Sequence, residues 1–285
     1  MNLRQSQRNK AKIKMALQGP SGSGKSLSAL LLAQGLTGNL SKVAVIDTEN
    51  GSADLYAHLG KYNVLPLEPP YSPERYIEAM DVCINAGMEV IIMDSISHCW
   101  DYLIDYHASL PGNSFTNWAK ITPRQKAFVD KILQGQAHFI CTLRVKQDYV
   151  LSERNGKMVP EKVGLKAIQR DELSYEFTLV FDIDIKHFAT ASKDRTNLFE
   201  GKPQFIINSH TGRKILEWCN STMTKEQLKI LVTECNTMEE LTDLFNKNFD
   251  VAKTIEADFV NKKNLLQQLT NLNHKSNGNG THTNQ

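Results

Sequence analysis

Gly19-Pro20-Ser21-Gly22-Ser23-Gly24-Lys25-Ser26 is the stretch around which the other motifs of this 285-residue chain arrange themselves. It fits the pattern G-x-x-x-x-G-K-[ST], whose glycines let the backbone curl until several N–H groups face one anion. The flanks supply the context the pattern needs. Ahead of it, Ile13, Met15 and Leu17 alternate with Lys12, Lys14 and Gln18, a period of two that predicts a short strand ending at Gly19. Behind it, Leu27, Leu30, Leu31 and Ala33 predict an apolar helix with Gly35 near its end, and the N-terminus of that helix adds the positive end of its dipole. Residues Gly19 to Leu27 are therefore the expected ATP-binding loop. Lys25 is placed to neutralise the β- and γ-phosphates, and the Ser26 hydroxyl to ligate Mg²⁺. A chance glycine-rich turn is the competing explanation, and the strand and helix on either side weigh against it.

Further along, Val43-Ala44-Val45-Ile46-Asp47-Thr48-Glu49 is an apolar run closed by carboxylates, which predicts a buried parallel strand opening onto a ligand crevice. Carboxylates at the end of a buried strand are costly unless they serve a cation or a polarised water. Glu49 is accordingly the candidate water-orienting base; the alternative is that Asp47 and Glu49 cap a helix expected from Ser52. Residues 61–72, with Pro66, Pro69 and Pro70, read as a connection, and Ser72-Pro73-Glu74 as the N-cap and first turn of a helix. Val90-Ile91-Ile92-Met93-Asp94 is a second apolar run ending in a carboxylate. Downstream of a P-loop it matches a Walker B element, with Asp94 completing the cation site begun by Ser26.

From His98 to Gln125 the chain is aromatic and polar, with Trp100, Tyr102, Tyr106, Phe115 and Trp118. Such rings serve either as stacking platforms for bases or as packing between helices. His138 to Leu143 predicts the next core strand, and at its end Thr142, Arg144 and Gln147 are the candidate sensors of the γ-phosphate. Residues 144–170 carry excess positive charge around Asn155-Gly156, a hairpin signal. Lys146, Arg154, Lys157, Lys162, Lys166 and Arg170 are the candidate contacts to a phosphate backbone, with a solvated β-hairpin as the plain alternative. Tyr175 to Ala191 alternates as strands do. Lys193 and Arg195 lie two apart, so on extended backbone they project the same way; offered to a neighbouring subunit's γ-phosphate they would act in trans, and a surface turn is the rival reading. Gln204–Ile207 and Lys214–Trp218, joined through Thr211-Gly212, are expected as a closing hairpin.

A formal net charge of +2 leaves any nucleic-acid binding to a local patch. The five cysteines are scattered without C-x-x-C pairs and no signal peptide is read ahead of them, which predicts buried thiols in a reducing cytoplasm. No apolar run reaches the length of a membrane span. The expected organisation is a flexible basic N-terminus over 1–11, an ATPase core over 12–219, a helical appendage over 220–272 and a disordered tail over 273–285. The appendage is read from three amphipathic segments, the first two capped at Thr224 and Thr237 and the third running from Ile255 to Leu272. Asn, Gly, Ser and Thr dominate the tail.

In this order the motifs resemble those of the RecA family. Ile46-Asp47-Thr48-Glu49 followed by Leu55-Tyr56-Ala57 resembles the segment that carries the RecA catalytic glutamate, and Gly19-Pro20 at the head of the loop is also similar. Lys193-Asp194-Arg195 resembles the trans-acting Lys-x-Arg of RecA-type hexameric helicases. Asp94-Ser95-Ile96-Ser97-His98-Cys99-Trp100, with Arg144 to Tyr149 and Lys193 to Thr196, is similar to bacteriophage ATP-binding proteins of AAA type, including RecA-core single-strand annealing proteins. Thr142-Leu143-Arg144 stands where RecA itself has a glutamine-ended sensor strand. The resemblance spans about residues 12–218 and implies an α/β fold, a RecA-like P-loop NTPase core with a mostly parallel central sheet and a small C-terminal helical appendage. It implies Mg²⁺-dependent ATP hydrolysis through Lys25 and Glu49, completed by Lys193 and Arg195 of a neighbour in a ring or filament. Single-stranded DNA is the implied partner, and the host-cell cytoplasm the implied location. Two other function classes fit the loop: a small-molecule kinase, and a non-catalytic module in which ATP switches a partner-binding surface.

Overall fold

Apolar strands buried on both faces need helices above and below them, and the chain supplies the two in alternation. The computed structural model describes residues 11–154, 157–170, 173–220 and 225–276, with side chains outside 147–165, 247, 250 and 269–276. The chain divides into two compact units, Lys12–Trp218 and a second that carries the helices from Cys219 onward. In chain order the elements up to their junction are β1 (Lys14–Gly19), α1 (Lys25–Thr37), β2 (Val43–Asp47), β3 (Asn63–Pro66), α2 (Pro73–Asn85), β4 (Val90–Asp94), α3 (Ser97–Ser109), α4 (Ser114–Gln134), β5 (His138–Arg154), β6 (Lys157–Ala167), α5 (Leu173–Glu176), β7 (Leu179–Ile183), β8 (Ala189–Asp194) and α6 (Ser209–Asn220). The sheet runs β3-β2-β4-β5-β1-β7-β8, with β6 paired to β5. Pairing is parallel from β3 through β7; β6 and β8 are antiparallel. The P-loop strand β1 is thus separated from the Walker B strand β4 by β5. Register sets Gly19 opposite Arg144 and Asp47 opposite Asp94, so the loop and the two carboxylate-ended strands open at one edge, where open parallel sheets bind ligands.

One face of the sheet is closed by α2 and α4. Tyr76 and Met80 with Phe128 and Ile132 pack against Ile46, Ile91 and Phe139, and the Tyr76 and Phe128 rings meet edge to face at 5.4 Å. All five cysteines are buried. A Cβ built on Gly35 of α1 would lie 2.6 Å from Arg213 N and 2.7 Å from Gly212 Cα, with Ser209 O closer still; one on Gly212 would lie 3.0 Å from Gly35 Cα. The two helices therefore cross backbone to backbone. Gly35→Ala should destabilise the protein by about 2 kcal/mol, because overpacking against main chain, about 3 kcal/mol, outweighs the roughly 1 kcal/mol gained in helix propensity. An unchanged melting temperature would show that the helices part freely.

That crossing corrects one expectation. Lys214–Trp218 is not a strand but part of α6, and Thr211-Gly212 is not a turn: Thr211 and Ile215 are buried one helical turn apart, and Gly212 is needed at the contact. Of Gln204–Ile207 only Phe205 pairs, in an isolated bridge to Ala189. Three smaller differences are that residues 61–72 contain β3, that Ser52–Leu59 is a 3₁₀ helix, and that Tyr175 lies in α5, so strand structure starts at Leu179. The aromatic stretch forms α3 and α4, whose rings stack on one another: Trp100 on Trp118 at 6.1 Å and His107 on Trp118 at 4.4 Å.

His138 makes the fold sensitive to acid. Its Nδ1 accepts the backbone N–H of Ile13 at 3.1 Å, so the ring is neutral with its proton on Nε2. Burial, and then Lys12 and Lys14 nearby, hold its pKa down at about 4 from the ordinary 6.5. The unfolded chain takes up this proton first as pH falls. Stability present above pH 6.5 is therefore lost down to pH 4, about 3 kcal/mol from this one residue. Denaturant midpoints at neutral and acid pH test this: His138→Asn, which keeps an acceptor but cannot be protonated, should lose less than wild type.

The second unit continues with α7 (Lys225–Glu234), α8 (Met238–Lys247), α9 (Phe249–Lys253) and α10 (Glu256–Ser276). Thr237 forms a capping box, its Oγ1 accepting Glu240 N–H at 3.1 Å while Glu240 Oε2 accepts Thr237 N–H at 3.2 Å. Leu228, Val232, Leu241, Ile255 and Phe259 make its core. The expected cap Thr224, the Asn155-Gly156 turn, and the readings of residues 1–10 and 277–285 lie outside the described residues. No described helix is long and apolar enough to cross a membrane.

Candidate functional site: a nucleotide-binding edge

Gly22 and Gly24 take φ values of 81° and 87°, a region that side chains with a Cβ rarely enter. Gly24 caps α1, and Ser28 N–H on Gly24 O at 2.9 Å begins its hydrogen-bond ladder. Lys25 folds over the loop, its Nζ donating to Gly19 O and Pro20 O at 2.9 Å each. Burial lowers the pKa of Lys25, and the charges of Asp94 and Glu49 work against that shift. The ammonium thus lies against the loop and within electrostatic reach of both carboxylates.

Ser26 Oγ donates to Asp94 Oδ2, and Thr142 Oγ1 to Asp94 Oδ1 at 2.5 Å. Asp94 is 3 % exposed; burial raises its pKa and the two hydroxyls oppose the rise. Thr142, a sensor candidate from the sequence, is committed to holding this carboxylate. A hydroxyl and a carboxylate side by side are the hard oxygen donors Mg²⁺ takes. Among the described residues no group of three His, Cys, Asp or Glu could hold a metal alone. The pair therefore fits a cation that draws its remaining ligands from phosphates and water, as Mg²⁺ does.

Glu49 receives a two-pronged pair from Arg144: Nε donates to Oε1 at 2.9 Å and Nη2 to Oε2. Its side chain is only 20 % exposed. His98 Nε2 lies 3.9 Å from Oε1. That ring is fixed by Thr48 Oγ1 at 2.8 Å from Nδ1 and by Tyr71, stacked at 5.0 Å. The capping alternative holds for Asp47 alone: its Oδ1 accepts Glu49 N–H at 2.6 Å and its Oδ2 accepts Ala53 N–H at 3.2 Å. Sequence reasoning named Glu49 and Arg144 separately but not their pairing, and it missed His98 and Tyr71. Only the position of His98, four residues past Asp94 in the first turn of α3, marks it.

Lys193 and Arg195 are elsewhere. Lys193 pairs with Val180 and Asp194 with Leu179, while Leu179 pairs with Met15. They lie at the opposite edge of the sheet, about 13 Å of strand from Gly19. There Lys193 Nζ donates to Ser174 O at 3.2 Å and to Tyr175 O, and Arg195 Nη2 to Tyr175 O at 3.3 Å. Of the candidate backbone contacts, Lys166 and Arg170 line a cavity of about 200 Å³ with Gln18, Leu143 and Phe177, and Lys146 lies opposite Lys166 in the β5–β6 register. The side chains of Gln147, Arg154, Lys157 and Lys162 lie outside those described. One contact had no sequence signal: His187, in the turn after β7, places Nδ1 3.0 Å from Ser23 O.

The family model described as AAA domain matches residues 11–216. Among solved structures, a KaiC-like protein from the hyperthermophilic archaeon Pyrococcus horikoshii OT3 is similar at 14 % identity and a TM-score of 0.39, over 68 % of this chain and 82 % of that one. No curated protein matches the chain.

Proposed function

The chain belongs to the AAA domain family, and on that footing we propose that it binds ATP with Mg²⁺ and hydrolyses its terminal phosphoanhydride. The observation that carries this reading is the convergence of the P-loop on both carboxylates, Ser26 on Asp94 and Lys25 within electrostatic reach of Asp94 and Glu49. Lys25 and the loop amides hold the triphosphate, and Ser26 and Asp94 hold the cation, which when bound neutralises charge on the phosphate oxygens. Glu49 accepts a hydrogen bond from the attacking water and orients it. Arg144 donates one hydrogen bond to each of its oxygens here, leaving one lone pair on each, so the base is fully free only when Arg144 turns away. The γ-phosphate is the natural competitor, because a guanidinium binds phosphate and carboxylate in the same forked geometry. Arg144 thereby acts as the sensor that distinguishes a filled site from an empty one.

In its finer form the proposal is a RecA-like protein acting on single-stranded DNA in bacteriophage recombination or replication, assembled into rings or filaments with Lys193 and Arg195 completing a neighbour's site. The motif order supports it. Lys193 and Arg195 also lie too far from their own loop to serve it. Phosphate release by the full chain, with and without a single-stranded oligonucleotide and across a dilution series, tests each level. Release stimulated by DNA and falling per subunit on dilution is the expected result. Release that needs a metabolite acceptor favours a small-molecule kinase, ATP binding without release favours a switch, and a constant rate per subunit down to the monomer removes the trans arrangement.

A further inference from the structure

The turn joining β7 to β8 is built around Asp184. Its Oδ1 accepts the backbone N–H of Lys186 at 2.8 Å and of Phe188 at 2.9 Å, and its own N–H donates to Phe188 O at 3.0 Å. His187 takes φ 70° and donates its N–H to Asp184 O at 3.0 Å. Because β7 runs in register with β1, Gln18 opposite Asp182, the sheet carries this rigid turn to the base of the P-loop. A Cβ on Gly24 would stand 3.2 Å from His187 Nδ1, so the imidazole lies directly against the loop.

The bond from His187 to Ser23 has a defined direction. A carbonyl only accepts, so Nδ1 carries the hydrogen that meets Ser23 O at 3.0 Å. The Ser23–Gly24 peptide is not among the cis bonds; in a planar trans amide the C=O and N–H point opposite ways. Holding the Ser23 carbonyl against the turn therefore aims the Gly24 N–H at the other side of the loop. A peptide preceding glycine is otherwise among the easiest to rotate. Ser23 itself is fully buried, so water does not compete for that carbonyl.

We propose that His187 is a positioning residue of the P-loop: through Ser23 it sets the Gly24 amide toward the triphosphate before nucleotide arrives. The inference rests on the nucleotide reading above and adds a residue that no P-loop pattern contains. Preorganisation of this kind lowers the ordering cost of binding, so the loss on removal falls on affinity.

The test compares wild type, His187→Ala, His187→Gly and His187→Asn by equilibrium titration with Mg-ATP, with circular dichroism to verify folding. His187→Ala and His187→Gly should each weaken binding by about tenfold, the worth of one net hydrogen bond. Steady-state KM should rise by more than kcat falls. His187→Asn tolerates positive φ and brings an amide N–H to the same carbonyl, so it should recover most of the affinity. Folded His187→Ala and His187→Gly proteins with wild-type affinity overturn the proposal, as does a His187→Asn protein no tighter than His187→Gly, since the backbone and not the bond would then matter. A wild-type protein that binds no ATP fails at the earlier step and overturns the nucleotide reading itself.

Discussion

Glu49→Gln should abolish turnover, by about a thousandfold in kcat, the contribution of a positioned base, while ATP stays bound. The amide keeps the shape of the carboxylate but has no basicity, so it cannot take up the proton of the attacking water. Binding should hold for a second reason. In wild type Arg144 is paired with Glu49, and loss of the negative charge leaves the guanidinium available to the phosphates, so affinity should be equal to wild type or tighter. Single-turnover hydrolysis alongside equilibrium binding separates the two quantities. Substantial retained turnover would remove Glu49 as the base.

Lys25→Ala should fail in the opposite way, by losing the nucleotide. Removing a part-buried cation from a charge-assisted contact costs about 2–5 kcal/mol, some 30-fold to several thousandfold in Kd. The ammonium also offsets Asp94 and Glu49; without it two carboxylates confront a polyanion. Lys25→Arg should not rescue fully, because a planar fork cannot replace a compact head that meets Gly19 O and Pro20 O at 2.9 Å. Calorimetric titration reads this directly, and wild-type affinity in Lys25→Ala would mean that triphosphate binds somewhere other than this loop.

What was legible in the sequence was local. The loop, its flanking strand and helix, and the two apolar runs ending in Asp47 and Asp94 are contiguous patterns, and a buried parallel strand that ends in a carboxylate points to one sheet edge. Misreadings came where one residue type serves two purposes. Thr211-Gly212 reads as a turn because glycine permits one, yet this glycine is there to let α6 touch α1. β3 was hidden by Pro66, tolerated because it ends an edge strand. Contacts across the fold had no signature at all. Glu49, just past the end of β2, and Arg144 on β5 are separated by 95 residues, with β4 between the two strands, and Ser23 and His187 are 164 residues apart.

Strand β8 leaves the turn that grips Ser23 and ends six residues later at Asp194, between Lys193 and Arg195. That is a rod of about 20 Å with a subunit's own phosphate loop at one tip and the cations it would lend next door at the other. In an assembly of the proposed kind, one piece of main chain would join a subunit's own nucleotide site to the next.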